Sequence, residues 1–399
     1  MKLSIEDLDV NNRRVLLRVD FNVPLKEDVT ISDPTRITAS LPTIEYILKK
    51  GGSVILLSHL GRPDGKPNKK YSLAPCARYL EKVLHKSVPL APDCIGPATQ
   101  KMVSALHKGE LLMLENLRFH EAEEHPEKDP SFTKELASFG DAYVNDAFGT
   151  AHRLHASTAA LASYFPGKAA AGFLMMKEIE FLGSHLMNPA RPFYALIGGA
   201  KISTKIKVLS SLLSKVDALF IGGAMAYTFL KTCGLSIGDS VHEDGFLQTA
   251  KAFLEEATAR RIPVYLPEDL VVANSFNPNA TSQVIVCQEG IPDGWQGMDI
   301  GPKTLKKWTE LLKAAATIFW NGPLGVFEMA PFARGTNEMA KALSTLKAIT
   351  IVGGGDSVAA INELHLKDRF THISTGGGAS LEYIEKGNLP GIDALSDRT

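Results

Sequence analysis

Short β-rich apolar runs alternate with segments of helical period along almost the whole chain of 399 residues. In the first half the runs are Arg14–Asp20, Ser53–Ser58, Leu111–Glu115 and Ala142–Asn145. In the second they are Phe193–Gly198, Ala218–Gly222, Pro263–Leu266, Thr317–Trp320, Ala348–Gly353 and Thr371–Ser374. Between them lie Thr38–Lys50, Leu73–Leu84, Ile202–Leu213, Gly245–Arg260, Lys303–Ala315 and Val358–Leu366. Short strands apolar on both faces, usually followed by a helix, predict a parallel sheet covered on both sides.

A chain of this length exceeds one core at ~100–200 residues per domain. We therefore expect an α/β fold of two doubly wound parallel-sheet (Rossmann-like) domains joined by a hinge helix. The boundary reads at Tyr164–Ala171, where Pro-Gly punctuation precedes small residues, and the hinge helix at about Met175–Met187. This gives a first domain over 1–170, a second over 171–386, and a tail over 387–399 too short to form its own element.

Hydrophobic residues make up 45% and charged residues 22%, which is ordinary globular composition. A net charge of −1 argues against nucleic acid or a membrane surface as partner. The acidic start, with Glu6, Asp7 and Asp9, does not read as a signal peptide, and no apolar run approaches a bilayer span. Cys76, Cys94, Cys233 and Cys287 are scattered without a C-x-x-C pair, as in a reducing compartment. The expectation is a cytoplasmic protein, monomeric by default because no heptads are present.

The residues just past the apolar runs divide the chain in two. After first-half runs stand Arg and His: RVDFNVP from Arg18, SHLGRP from Ser58, ENLRFH from Glu115 and FGTAHRLHAS from Phe148. After second-half runs stands Gly: LIGGAKISTK from Leu196, FIGGAMA from Phe220, IVGGGDS from Ile351 and STGGGAS from Ser374. Ligands of open parallel sheets bind beyond the carboxyl ends of strands. Guanidinium and imidazole hold free anions by charge, whereas successive glycines bare backbone N–H groups before a helix N-terminus. Two anion sites of different kind follow, as phosphoryl transfer between two anions requires.

On the first rim, Asp20, Asn22, Arg36, His59, Arg62, Arg118, Arg153 and His155 can surround a small polyanion. A lone loop arginine is ordinarily a solvated charge; a set in step with strand ends reads instead as an anion site, with solvated charges as the alternative. His152 and His155 lack a nearby third ligand for a metal. On the second rim, Lys201 and Lys205 are four residues apart and read as one face of a first helical turn, or as a solvated pair. Asp356, between Gly353-Gly354-Gly355 and Ser357, is either a helix N-cap or a Mg²⁺ ligand. Gly376-Gly377-Gly378 repeats the design, and Glu328, after Asn321-Gly322-Pro323, is either a ribose partner or a loop acid. No G-x-G-x-x-G follows the first strand of either half, which counts against a nicotinamide-dependent dehydrogenase. A Walker A loop, protein-kinase motifs and G-x-S-x-G are missing as well. A catalytically silent nucleotide-binding or adhesin-like protein is the other alternative.

In order, RVDFNVP, DPTRI, SHLGRP, ENLRF, NDAFGTAHRLHAS, GGAKISTK, WNGPLGVFE, VGGGDS and STGGGAS resemble the phosphoglycerate kinase family, from residue 18 to residue 380. The resemblance implies a two-domain enzyme with a cleft. It implies reversible phosphoryl transfer between ATP and the carboxylate of 3-phosphoglycerate, giving 1,3-bisphosphoglycerate and ADP, with Mg²⁺. The first domain would bind the glycerate, the second would bind the nucleotide, and the tail would return to the first. By motif, Asp20, Phe21, Asn22, Arg36, His59, Leu60, Gly61, Arg62, Arg118 and Arg153 fall at phosphoglycerate-binding positions. Lys201, Lys205, Gly222, Gly223, Asn321, Glu328, Gly354, Gly355, Asp356 and Ser357 fall at nucleotide positions, with Asp356 the metal ligand. Arg36, Lys201, Gly354 and Gly377 would face the transferring phosphoryl. In GGAMA, Ala224 stands where the family usually has a third Gly.

Overall fold

The computed structural model describes residues 1–398. These form two compact units, Met1–Glu180 with the terminal segment from Asn388, and Phe181–Gly387.

The first unit is built on five parallel strands: β1 (Arg14–Arg18), β2 (Ser53–Leu57), β3 (Leu111–Met113), β4 (Ala142–Asn145) and β5 (Ala169–Ala171), in the order β3-β2-β1-β4-β5. Every residue of β2 is buried, as a strand covered on both faces requires. Val15, Leu17, Val54 and Leu56 share one core with Ile37, Ile44 and Ile47 of the helix Thr35–Lys49. Truncating one such side chain to Ala costs about 2–5 kcal/mol.

The boundary expected at Tyr164–Ala171 is not there. Ala169–Ala171 is the edge strand β5, paired with Tyr143–Asn145. Its three alanines are buried, and a Cβ on the following Gly172 would collide with the Asp146 carboxyl group. The expected hinge helix is helical over Phe173–Glu178, a π turn over Ile179–Ser184 and a last turn at His185–Met187. The segment expected to lack structure of its own includes the short helix Pro390–Asp393. It is bound within the first unit by Gly391 N–H to Ala151 O at 2.8 Å, Leu3 N–H to Ser396 O at 2.8 Å and Asn145 Nδ2 to Gly391 O at 3.3 Å.

The second unit carries β6 (Phe193–Ile197), β7 (Ala218–Ile221), β8 (Val264–Tyr265), β9 (Asp269–Ala273), β10 (Ser282–Val286), β11 (Gln296–Ile300), β12 (Thr317–Asn321), β13 (Ile349–Gly353) and β14 (His372–Ile373). Six of them make a parallel sheet in the order β14-β13-β12-β6-β7-β8. The other three form an antiparallel sheet, β10-β9-β11, absent from the sequence reading. Trp308, Trp320 and Phe220 anchor the main core, Phe220 meeting Trp308 edge-on at 5.5 Å. No described helix is long and apolar enough to cross a membrane.

Asp299, near the end of β11, is 1% exposed. Its carboxyl oxygens accept N–H bonds from Gly335 at 2.6 Å and Ile300 at 2.9 Å. Burial outweighs those bonds and pushes its pKa up to about 7. The folded state thus holds a proton that the unfolded state releases near the ordinary carboxylate range. Stability should fall as pH rises from that range to about 7, and level off above it. Thermal unfolding across this window should show a shallower slope for Asp299→Asn; an unchanged slope would refute the assignment.

Candidate active site

At the carboxyl edge of the first sheet, register sets the neighbours. Arg18, the last residue of β1, lies opposite Leu57 of β2 and Asn145 of β4. The chain beyond these residues therefore emerges side by side. Asp20 pairs with Arg36 from the first turn of the helix Thr35–Lys49. Gly149 packs against this pair, where a Cβ would meet Asp20 Oδ2 at 2.5 Å and Arg36 Nη1 at 3.7 Å. Asn22 Oδ1 accepts the Gly61 N–H at 2.9 Å, and Arg118 Nη1 donates to Gly61 O at 2.9 Å. Asn116 Nδ2 donates to Leu60 O at 2.7 Å, fixing the loop that carries His59, Leu60 and Gly61. Phe21 is fully buried, and its backbone is engaged within the protein: its N–H donates to Ser58 Oγ at 2.9 Å and its carbonyl accepts the Val23 N–H at 2.8 Å.

Beneath the edge lies a network not assigned from the sequence. The Arg18 guanidinium is fully buried and contacts the carbonyl of Val19. Its Nε donates to Ser157 Oγ at 2.8 Å, and Nη2 stands 3.3 Å from His59 Nδ1. Glu123 Oε1, also fully buried, lies 4.0 Å from Arg18 Nη2 and accepts from Ser157 Oγ at 2.6 Å. Burial raises the Glu123 pKa, with Arg18 pulling it back. A guanidinium has only donors, so His59 Nδ1 must present its lone pair and Nε2 must carry the proton. Burial, then the charges of Arg18, Arg118 and Arg36, hold the His59 pKa well below its usual range. His155 is pushed down to about 3 by burial and then by Arg118, Arg18 and Arg153. Both imidazoles are neutral donors within a cationic field.

Glu124 moderates that field: its Oε1 lies 3.2 Å from Arg118 Nη2 and 3.9 Å from His155 Nε2. Burial lowers the Arg118 pKa, and Glu124 opposes this. Arg153 is half-buried and acts electrostatically on Arg118 and His155. Arg62 is exposed, with no hydrogen bond to the set among the described residues.

In the second unit the edge is made of backbone. A Cβ on Gly198 would collide with the Pro323 carbonyl, and one on Gly223 would meet Gly199 N at 2.5 Å. The loops after β6, β7 and β12 therefore approach as closely as glycine allows. Asn321 Oδ1 accepts from Lys205, while its buried Nδ2 has no partner among the described residues and lies beside Gly354. Ser357 Oγ accepts the Gly322 N–H at 2.6 Å, tying β12 to the helix Gly355–Glu363. Gly355, Gly377 and Gly378 face open space, where a Cβ would meet no atom within 4 Å. Gly354 and Gly377, with φ of 93° and 51°, cap the helices that follow them.

Lys201 and Lys205 do not share a helical face. Ile202–Thr204 is a 3₁₀ turn and the α-helix starts at Ile206, because Glu243 accepts the Ser203 N–H at 2.9 Å and its hydroxyl at 2.6 Å. Lys201 is exposed and Lys205 half-buried. Burial depresses the Lys205 pKa to about 8, with Asp356 pulling it up. Asp356 and Glu328 are both exposed. Asp356 lies in the first turn of its helix, and no side-chain cap bond forms at the Gly354 N-cap.

Arginine and histidine side chains edge one parallel sheet, and close-packed glycine loops with lysines edge the other, a layout that fits the phosphotransferase class. A model described as Phosphoglycerate kinase matches residues 5–387. Phosphoglycerate kinases from Moorella thermoacetica and Chlamydia muridarum are 52% identical over 397 residues and 50% identical over 398. The alignments cover 100% of this chain and 100% of the first relative, and 99% and 98% for the second. The solved phosphoglycerate kinase of Coxiella burnetii matches with a TM-score of 0.90 at 41% identity, over 99% of both chains. That of Pyrococcus horikoshii matches with 0.85 at 33% identity, over 98% of both. The chain belongs to the phosphoglycerate kinase family.

The Arg18 contact sets a spectroscopic expectation. Imidazole ¹⁵N spectra of the free protein should show His59 protonated at Nε2, with no titration between about pH 5 and 8. A His59 step near the ordinary histidine range, or a proton on Nδ1, would contradict this geometry.

Proposed function

We propose how the two edges carry out the family's reaction, and which residues act. As a family member, the chain transfers a phosphoryl group reversibly between ATP and 3-phosphoglycerate in glycolysis. The acceptor oxygen belongs to a carboxylate, ionised at neutral pH, so no general base is required. A bond forms from that oxygen to the γ-phosphorus as the bond to the ADP oxygen breaks, and the electron pair leaves with ADP. The work left to the protein is positioning and charge neutralisation.

We assign the glycerate to the first unit. Arg118, Arg153 and Arg62 offer guanidinium forks to its phosphate, with the neutral His59 Nε2–H as an added donor. Asp20 and Asn22 orient it, and Phe21, Leu60 and Gly61 shape the edge through backbone bonds to Ser58, Asn116, Asn22 and Arg118. Asp20 holds Arg36 toward the reacting carboxylate end. We assign the nucleotide to the second unit. The N–H groups at the start of the helix after β13, the Asn321 Nδ2 and Lys205 meet phosphate oxygens, while the close-packed loops at Gly198, Gly222 and Gly223 leave room beside them. Glu328 is the ribose partner, and Lys201, Gly354 and Gly377 face the transferred group. The observation that carries this assignment is that each set follows strands at the carboxyl edge of one parallel sheet.

The exposed Asp356 carboxylate beside an open glycine cradle fits Mg²⁺, which takes one or two carboxylates and completes its shell with phosphates and water. When bound, the ion supplies charge neutralisation on phosphate oxygens. We also propose a monomer acting in the cytoplasm; sedimentation of the purified chain at one protomer mass checks the first point.

The reaction is tested by ATP consumption with 3-phosphoglycerate, coupled to glyceraldehyde-3-phosphate dehydrogenase so that NADH loss reports 1,3-bisphosphoglycerate. Arg36→Ala should lower kcat by about 10²–10³-fold with the fold intact; an unchanged kcat would sink its role. Asp356→Ala should weaken MgATP binding more than 3-phosphoglycerate binding, and equal losses would count against the two separate sites. Because burial depresses the Lys205 pKa to about 8 without nucleotide, nucleotide binding above that pH should take up a proton. Calorimetry in buffers of different ionisation enthalpy should detect this uptake, and Lys205→Arg should abolish it.

A further inference from the structure

Away from the anion-binding groups, the first unit gathers three metal-ligating side chains of different chemistry. Leu90 bridges Met113, the last residue of β3, and Ala91 N–H donates to Met113 O at 2.8 Å. The segment holding Asp93 and Cys94 thus leaves the same carboxyl edge, one position beyond β3. His120 follows the turn Leu117–Phe119, which carries Arg118. One ligand atom from each of Asp93, Cys94 and His120 lies within 4.8 Å of the others.

The three are already organised around the Asp93 carboxylate. Its Oδ1 stands 2.8 Å from His120 Nε2 and accepts the Cys94 N–H at 2.6 Å. The Phe132 ring lies 5.3 Å from the His120 ring at an interplanar angle of 30°, which limits the imidazole's orientation. Cys94 is fully buried, whereas the side chains of His120 and Asp93 are 29% and 43% exposed, so an ion has an entry path.

We propose that Asp93, Cys94 and His120 form a binding site for a zinc-type divalent cation, with three protein ligands and an open fourth position. Thiolate, imidazole and carboxylate together are the borderline-soft set that selects zinc over magnesium. Thiolate and carboxylate contribute two negative charges, which the dication neutralises. The proton balance is explicit: the Cys94 thiol releases one proton to solvent, and a neutral His120 bonds the metal through whichever ring nitrogen is freed of hydrogen. Burial and the nearby Asp93 and Glu123 charges raise the thiol pKa without metal, and the same negative charges favour a cation. The bound ion would pin the Asp93–Cys94 segment to the turn that carries Arg118. This inference uses none of the residues assigned to phosphoryl transfer.

The test uses the full chain, stripped with chelator and titrated in magnesium-free buffer with Zn²⁺ alone, and with Co²⁺ as a coloured probe. Expected are one equivalent bound, release of one proton, and a thiolate-to-cobalt charge-transfer band. Cys94→Ser should abolish the band and weaken zinc by about 100-fold or more, beyond the usual loss when only a supporting hydrogen bond is removed. The half-exposed Asp93→Asn and His120→Gln variants should weaken zinc as well and guard against misfolding of Cys94→Ser. Cys233→Ser, lacking the exposed thiol, should bind as the wild type does. Absence of stoichiometric binding, or binding lost in Cys233→Ser and retained in Cys94→Ser, would overturn the proposal.

Discussion

Parallel strand alignment is the constraint on which the rest depends. It delivers every carboxyl end to one edge of a sheet, in register. Arg18 lies opposite both Leu57 and Asn145, so Asp20, His59 and Asp146 all emerge just past that edge. In the second unit Asn321 lies opposite Gly353 and Ile197, which brings Gly354, Gly322 and Gly198 out together. Residues far apart in the chain become neighbours without any special contact between them. What each edge can bind follows from the side chains, or lack of them, just beyond the strands.

The two edges meet opposite physical difficulties. A cationic edge repels itself before any anion arrives. The first unit limits this with Asp20 on Arg36, Glu124 on Arg118, and Glu123 beside the buried Arg18. It also keeps His59 and His155 uncharged. A buried pair such as Arg18 and Glu123 is itself a modest source of stability, but removing one partner would leave a charge stranded at about 3–5 kcal/mol. A backbone edge carries less charge and is limited by room. Gly198, Gly223 and Gly322 pack so tightly that a single methyl group would force the loops apart.

Much of this was legible in the sequence because it is local. Ten short runs read as strands are strands, and their ends carry the residues named for the two edges. What escaped depends on distant partners. Arg18 was quoted only as the start of a motif, since its role rests on Ser157, 139 residues away, and on His59. The signal is an arginine set directly between the apolar residues Val15–Leu17 and Val19. Tyr164–Ala171 reads as a boundary because small residues resemble a linker, yet Ala169–Ala171 is a buried strand paired with β4. The lysine spacing reads as one helical face or as a solvated pair, and nothing nearby in sequence announces Glu243, which holds the intervening turn. The antiparallel β9–β11 sheet was missed because its strands carry exposed and polar residues at its edges, unlike the buried parallel runs.

The claim at the centre is that the two ligands are held by different groups in different units. Amide and guanidinium NMR of the full chain, titrated separately with 3-phosphoglycerate and with ADP, tests it most directly. The phosphoglycerate should perturb the Arg36, Arg118 and Arg153 guanidinium signals and the Gly61 amide. ADP should perturb the amides of Gly199, Gly223, Gly354 and Gly377. Disjoint sets of this composition are the predicted result. If both ligands perturb one common set, or if ADP leaves the glycine amides untouched, the division of binding between arginine side chains and bare backbone is wrong.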